Sequence, residues 1–130
     1  MNLTWYDTLV KPSWTPAPGV IGTIWTVLYP IILVVFGYIA FRVFKGDMPK
    51  ALLVPIIINM ITNIAFTPIQ FGLQNLPLAT VDILLVLVTI VWAMIAFWPY
   101  ARIASLALIP YLIWVSTASV LQVTITFANR

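Results

Sequence analysis

Four long apolar segments dominate this sequence, and each is long enough to cross a lipid bilayer as a helix. A helical span needs about 20 mostly apolar residues, and four windows reach that length, at about 18–44, 51–71, 78–98 and 103–127. The connections between them are short, which suits antiparallel neighbours in a helix bundle. The alternating apolar and polar segments of a membrane β-barrel do not occur. The sequence therefore predicts an all-α, polytopic transmembrane helix bundle with four spans.

The composition agrees with this prediction and excludes several kinds of site. Of the 130 residues, 63% are hydrophobic and 7% are charged, whereas a soluble domain carries roughly a quarter charged residues. Cysteine and histidine are absent, which removes thiolate and imidazole metal ligands and the usual general base near neutral pH. The net charge of +3 is small and lies in the connections. We therefore expect one domain over 1–130, no metal site and no nucleic-acid partner.

The first 17 residues differ from the rest of the chain. They lack a basic region followed by an apolar core, so they do not form a signal peptide. Trp5, Tyr6 and Trp14 are amphipathic rings of the kind that favour headgroup depth. We expect this segment to lie at the membrane interface.

The distribution of lysine and arginine predicts the orientation of the bundle. Four basic residues lie beside the first and third connections: Arg42, Lys45, Lys50 and Arg102. Only Lys11 and Arg130 lie on the opposite side. Because basic residues are enriched in cytoplasmic loops, both termini are expected outside, in a multi-pass protein of a prokaryotic cell membrane.

The second span carries two amides on one helical face. Asn59 and Asn63 are four residues apart, and Phe66 and Gln70 continue the same face. An amide that faced lipid would be costly, so these side chains are expected to point into the bundle. Two interpretations remain open. The amides could make hydrogen bonds between helices that determine packing, or they could form part of the wall of a ligand pocket.

The first and fourth spans combine large rings with small gaps. One face of the first span carries Pro18, Gly22, Trp25 and Tyr29 at helical spacing. Gly22 leaves space beneath the two rings, and Trp114 beside Ala118 repeats this combination in the fourth span. Such a stripe is compatible with an ordinary core and with a cavity.

Asp82 is the only acidic residue within a predicted span. One interpretation places it near the start of the third span, where the helix dipole favours a carboxylate. The alternative, a proton-coupled role, needs an intramembrane base as a partner, and the spans contain none at comparable depth.

Three blocks of the sequence resemble the TspO/MBR family of tryptophan-rich sensory proteins and translocator proteins. They are WYDTLVKPSWTPAPGVIGTIWTVLY, NMITNIAFTPIQFGLQNLPLATVDILL and LIPYLIWVSTASVL, in the family's order and at similar spacing. The resemblance implies a helical membrane bundle, normally of five helices, that binds porphyrins, haem or flat synthetic ligands in a pocket. It also implies that residues 1–17 form a lid loop over that pocket.

The resemblance implies a set of ligand-binding residues on these blocks. Trp25 and Trp114 match the two pocket tryptophans, and Tyr6 and Pro16 match the lid. The full candidate set is Tyr6, Pro16, Ile21, Gly22, Trp25, Tyr29, Asn59, Asn63, Phe66, Thr67, Asp82, Trp114 and Ala118.

Two departures from the family pattern affect these expectations. The proline pair after Trp14 is interrupted by Ala17, and the family helix that normally precedes the WYD loop has no counterpart in this sequence. A four-helix branch, a truncated start, or a partner that supplies the missing wall would each account for this. Family members often form homodimers, and we expect one here, with Ala101-x-x-x-Ser105 as a weak contact motif.

Together these features predict a membrane binding protein or sensor for tetrapyrroles or similar flat hydrophobic ligands, which requires no cofactor and has no catalytic residues. Two alternatives remain open. A small four-helix transporter would use an intramembrane glutamate, and the chain contains no glutamate. Light-dependent porphyrin degradation would use the tryptophans rather than acid–base or metal chemistry.

Overall fold

The computed structural model describes residues 3–129, and within that range it confirms an all-helical membrane bundle. The chain forms α1 (Leu3–Asp7), α2 (Pro18–Phe44), α3 (Leu53–Thr67), α4 (Leu76–Phe97), α5 (Arg102–Ala107) and α6 (Ile109–Ala128). A 3₁₀ turn, Lys50–Leu52, leads into α3, and a π-helical turn, Pro68–Gly72, follows it. Four helical segments are long and apolar enough to cross a membrane. Arg130, which entered the prediction of orientation, lies outside the described residues.

Local sequence determines where the long helices begin and end. Pro18 occupies the first turn of α2, where its missing N–H costs nothing and its ring favours helical geometry. The helix ends at Phe44, and the φ of 87° at Gly46 allows the amides of Gly46 and Asp47 to bond the carbonyls of Val43 and Arg42. At the start of α4, the Asn75 side chain accepts a hydrogen bond from the Leu78 amide at 3.0 Å.

Helix α4 is the central element of the bundle. It packs closely against α3 on one side and against α6 on the other. Ala79 and Ala93 are fully buried on α4, and small side chains of this kind let neighbouring backbones approach. Helix α2 has fewer close backbone contacts with α3 and α6, which leaves space for a cavity beside it.

Asn59 joins three helices at the centre of the bundle. Its side-chain Nδ2 donates to the Val86 carbonyl oxygen at 3.2 Å and to Thr89 Oγ1 at 2.9 Å, both on α4. Its Oδ1 accepts from the Tyr111 hydroxyl of α6 at 2.9 Å. Asn59 and Tyr111 are both fully buried. Asn59 therefore makes the interhelical hydrogen bonds that were one of the two interpretations of its position.

Asn63 extends the same network to α2. Its Nδ2 donates to the Tyr111 hydroxyl at 2.6 Å, and its Oδ1 accepts from the Tyr29 hydroxyl at 3.1 Å. Hydrogen-bonded side chains therefore connect all four long helices of the described bundle.

The small-residue motif before α6 faces inward. Ser105 is buried, and its hydroxyl donates to the Met94 carbonyl oxygen at 2.7 Å. Ala101 packs against the hydrophobic core. Ser105 therefore fastens α5 to α4, and the part of this motif in a contact between two copies stays a prediction.

We expect Asn59→Ala to destabilise the bundle by about 2–3 kcal/mol, because the buried Tyr111 hydroxyl proton loses its acceptor and both hydrogen bonds from Asn59 to α4 are lost. Reversible unfolding in mixed micelles measures this change. Thr117→Val is the matched control, since the Thr117 hydroxyl bonds only the Ile113 carbonyl of its own helix and its loss should change stability by less than about 0.5 kcal/mol. Equal stabilities for the two variants would contradict a central role for Asn59.

Candidate ligand-binding site

A cavity of about 290 Å³ lies between α2, α3, α4 and α6, beneath α1. Its walls are mostly apolar and aromatic. The lining residues are Tyr6, Pro18, Ile21, Gly22, Trp25, Tyr29, Asn63, Phe66, Thr67, Gln70, Phe71, Ile83, Val86, Trp114, Ala118, Leu121, Gln122 and Ile125. Pro18, Gly22 and Thr67 are exposed and mark a rim between α2 and the end of α3.

Three aromatic side chains form one wall of the cavity. Trp25 and Tyr29 stack with ring centroids 5.2 Å apart and an interplanar angle of 28°. Trp114 meets Trp25 edge-on at 6.5 Å and 85°. Gly22 and Ala118 contribute almost no side-chain volume beside these rings, so a flat surface of indole and phenol faces open space.

Buried polar atoms without partners lie on the same walls. Trp114 and Gln70 are 9% and 4% exposed, and neither Trp114 Nε1 nor Gln70 Oε1 has a hydrogen-bond partner within residues 3–129. The π-helical turn that starts at Pro68 carries Gln70 into the bundle. A buried donor and a buried amide oxygen are costly unless something bonds to them, and a ligand in this cavity would be in a position to do so.

Helix α1 covers one end of the cavity. Tyr6 is 5% exposed, and its ring packs on Phe71 at 5.6 Å. Trp5 meets Phe71 edge-on at 6.4 Å. Burial, and to a smaller extent the charge of Asp7, raises the pKa of the Tyr6 phenol, so the covering side chain is neutral at physiological pH.

Two further contacts fasten the segment that follows α1. Lys11 Nζ donates to the Tyr6 carbonyl oxygen at 2.8 Å and lies 4.8 Å from the centre of the Tyr6 ring. At the other end of the chain, Asn129 bonds both backbone groups of Val10. Its Oδ1 accepts from the Val10 amide at 2.9 Å, and its Nδ2 donates to the Val10 carbonyl at 2.8 Å. The covering segment is therefore attached to the last turn of α6.

Ten of the thirteen predicted site residues line this cavity. They are Tyr6, Ile21, Gly22, Trp25, Tyr29, Asn63, Phe66, Thr67, Trp114 and Ala118. Their role in binding stays a prediction, because geometry alone does not test it.

The other three predicted residues are not among those that line the cavity. Pro16 is half-buried in the loop before α2, and Asn59 is occupied in the interhelical network. Asp82 is buried, and one of its carboxylate oxygens has no partner within the described part of the chain. Because α4 begins at Leu76, Asp82 lies beyond the first turn. The helix-dipole explanation for its position was therefore wrong, since that effect falls off within one turn.

Sequence reasoning did not select several residues that the fold brings to the site. Tyr111 lies behind the wall, and Gln122 and Ile125 of α6 complete it. Gln122 was detectable, because it is an amide in an apolar span, as Asn63 is. Tyr111 gave no such signal, since a tyrosine near a span end is usually interfacial.

This arrangement defines a class of protein, a helical integral membrane bundle that encloses a covered aromatic cavity. The family model for the TspO/MBR family matches residues 1–128. The chain belongs to the TspO/MBR family.

Known relatives cover nearly the whole chain. It is 40% identical over 129 residues to the tryptophan-rich protein TspO of Bacillus cereus, which covers 99% of this chain and 83% of the relative. It is 39% identical over 127 residues to the uncharacterised membrane protein YtaB of Bacillus subtilis, covering 96% and 80% of the two chains. The human translocator protein is 32% identical over 126 residues, covering 93% of this chain and 72% of the relative.

Asn129→Ala should loosen the covering segment, because it removes both bonds to the Val10 backbone. We expect faster amide hydrogen exchange in residues 5–11, with the exchange of α3 and α4 unchanged. Thr124→Ala is the control, since its hydroxyl bonds only the Val120 carbonyl of α6. Unchanged exchange of residues 5–11 in Asn129→Ala would show that the Tyr6 and Lys11 contacts hold the segment without this attachment.

Proposed function

We propose that this protein is a membrane-embedded binding protein, or sensor, for flat aromatic ligands of the porphyrin type. The observation that carries the proposal is the wall of stacked rings, Trp25 on Tyr29 with Trp114 edge-on, facing a cavity inside a membrane bundle. A flat conjugated ligand placed on such a wall gains about 0.5–1.5 kcal/mol for each aromatic pair beyond its burial. The cavity gives no comparable reason to bind a small, strongly hydrated solute.

The polar atoms of the cavity indicate an amphipathic ligand. Trp114 Nε1 is a donor without a partner among the described residues, so it suits a carbonyl or carboxylate oxygen on the ligand. Gln70 and Gln122 line the same cavity and each offers a donor and an acceptor. A ring system with oxygen-bearing substituents fits both the apolar wall and these groups.

The cavity volume restricts how such a ligand is held. At about 290 Å³ it lies at the low end of ligand cavities, which are roughly 300–1,000 Å³. A fused bicyclic ring system fits inside, whereas a whole tetrapyrrole would extend past the rim at Pro18, Gly22 and Thr67. Displacement of the Tyr6 segment would enlarge the space available.

The proposal also includes the orientation of the protein in the membrane and its oligomeric state. We propose that the lid end lies outside, because the opposite end carries Arg42, Lys45, Lys50 and Arg102 and basic residues are enriched on the cytoplasmic side. Such side chains place their charges at the cytoplasmic headgroups. The homodimer expected from the family stays a prediction, and the molar mass of the detergent-solubilised protein tests it.

We expect protoporphyrin IX to bind the purified protein, and the double variant Trp25→Phe with Trp114→Phe to bind it about tenfold more weakly, since each tenfold change corresponds to about 1.4 kcal/mol. Affinity is read from porphyrin absorbance, so removing indoles does not alter the probe. The control is Trp92→Phe with Trp98→Phe, which changes two exposed tryptophans of the α4 end. Equal affinities for the two double variants would refute this cavity as the porphyrin site.

The orientation is tested with single cysteines, because the natural chain has none. Ser13→Cys, on the lid side, should react in intact cells with a maleimide that does not cross membranes. Tyr100→Cys, in the turn between α4 and α5, should react only after the cells are opened. The reverse pattern would place both termini inside.

A further inference from the structure

The hydrogen-bond network behind the cavity has a fixed direction, which starts at a backbone group of α4. The Val86 carbonyl oxygen can only accept a hydrogen bond. The Asn59 side-chain atom 3.2 Å from it must therefore be the amide nitrogen. Thr89 Oγ1, the second acceptor of this nitrogen, directs its own proton to backbone carbonyls of α4. The orientation of the Asn59 amide is thus set by α4.

This direction passes unchanged through Tyr111 to Asn63. Because the Asn59 oxygen faces Tyr111, the Tyr111 hydroxyl must donate to it, at 2.9 Å. The Tyr111 oxygen then accepts from Asn63, whose nitrogen lies 2.6 Å away. The Asn63 oxygen consequently faces Tyr29, so the Tyr29 hydroxyl must donate to it, at 3.1 Å.

The consequence appears at the cavity wall. A tyrosine hydroxyl has a single proton, and the proton of Tyr29 is committed to Asn63. Towards the cavity this hydroxyl can therefore only accept a hydrogen bond. Donation to Asn63 also increases the acceptor strength of the Tyr29 oxygen, since aligned hydrogen bonds polarise one another.

Tyr29 is placed to use this acceptor on a ligand. It lines the cavity, is 41% exposed, and its ring is held in the aromatic wall by Trp25. A ligand stacked on Trp25 would have its rim beside Tyr29, which lines the same cavity.

We propose that Tyr29 makes the cavity selective for flat aromatic ligands that carry an N–H or O–H donor at their rim, and that Tyr111 and Asn59 impose this selectivity from outside the cavity. This inference rests on the proposed binding function. Tyr29 contacts the ligand, whereas Tyr111 and Asn59 are positioning residues that act through Asn63.

The test compares two bicyclic ligands of nearly identical shape. An isoquinolone lactam carries a ring N–H beside its carbonyl, and isocoumarin, the corresponding lactone, replaces that N–H with an oxygen. The natural protein should bind the lactam about tenfold more tightly, because one hydrogen bond is gained and a repulsion between lone pairs is avoided. In Tyr29→Phe the preference should fall below about twofold. Comparing the lactam-to-lactone affinity ratio between the natural protein and each variant cancels the different partitioning of the two ligands into detergent.

Two further variants separate selectivity from general damage. Tyr111→Phe frees the Asn63 amide to turn, so Tyr29 gains the option of donating and the lactam preference should fall towards that of Tyr29→Phe. If Tyr111 had only a structural effect, its loss would weaken the binding of both ligands equally and leave the ratio of their affinities unchanged. Tyr38→Phe is the control, because the Tyr38 hydroxyl, also on α2, accepts from Arg42 at 2.8 Å away from the cavity lining. It should keep the full preference.

The outcomes distinguish this inference from the function on which it rests. Equal binding of lactam and lactone by the natural protein, or an unchanged preference in Tyr29→Phe, would overturn the role of Tyr29 while protoporphyrin IX still binds. If neither bicyclic ligand nor protoporphyrin IX binds, the proposed function itself fails.

Discussion

The bundle depends on the hydrogen bonds of one buried amide. Asn59 bonds α4 through Val86 and Thr89 and bonds α6 through Tyr111. Between apolar helices in lipid, hydrophobic burial does not distinguish a helix neighbour from a lipid chain, so packing and polar bonds determine which helices associate. Asn59 provides these bonds from α3 to both α4 and α6, and all three would break if the helices shifted by one turn.

The cavity is a consequence of how differently the two halves of the bundle are packed. Helix α4 packs closely against both α3 and α6, whereas α2 makes fewer close backbone contacts with α3 and α6. Within residues 3–129, Tyr29 connects α2 to the polar network through Asn63, and Trp25 stacks on Tyr29 beside the cavity. The same side chains thus hold α2 in place and form the wall on which a ligand would lie. Ligand recognition and the attachment of α2 are therefore physically coupled.

Much of the fold and part of the site were predictable from the sequence. Long apolar segments without strand alternation indicate membrane helices whatever their neighbours, so the all-helical bundle was correctly predicted. The inward face of Asn63 followed from the cost of an amide in lipid, whereas the pocket positions of Trp25 and Trp114 were implied by the resemblance to the TspO/MBR family. Asn59 and Asn63 could not be separated in this way, since they share a face one turn apart. Only the positions of Val86 and Tyr111 show that Asn59 is fully engaged while Asn63 borders the cavity.

The sequence by itself determined that this chain is a membrane helix bundle, because hydropathy and residue type act locally and need no knowledge of distant contacts. It also determined that the amides of Asn59 and Asn63 point away from lipid, because an unpaired amide in hydrocarbon is costly. The tertiary structure alone decided that these side chains enclose one cavity, that Asn129 fastens the segment over it, and that Gln70 turns inward. It also decided the direction of the hydrogen bonds that reach Tyr29, because that direction starts at a backbone carbonyl of α4, which is distant in sequence and visible only when the helices are packed.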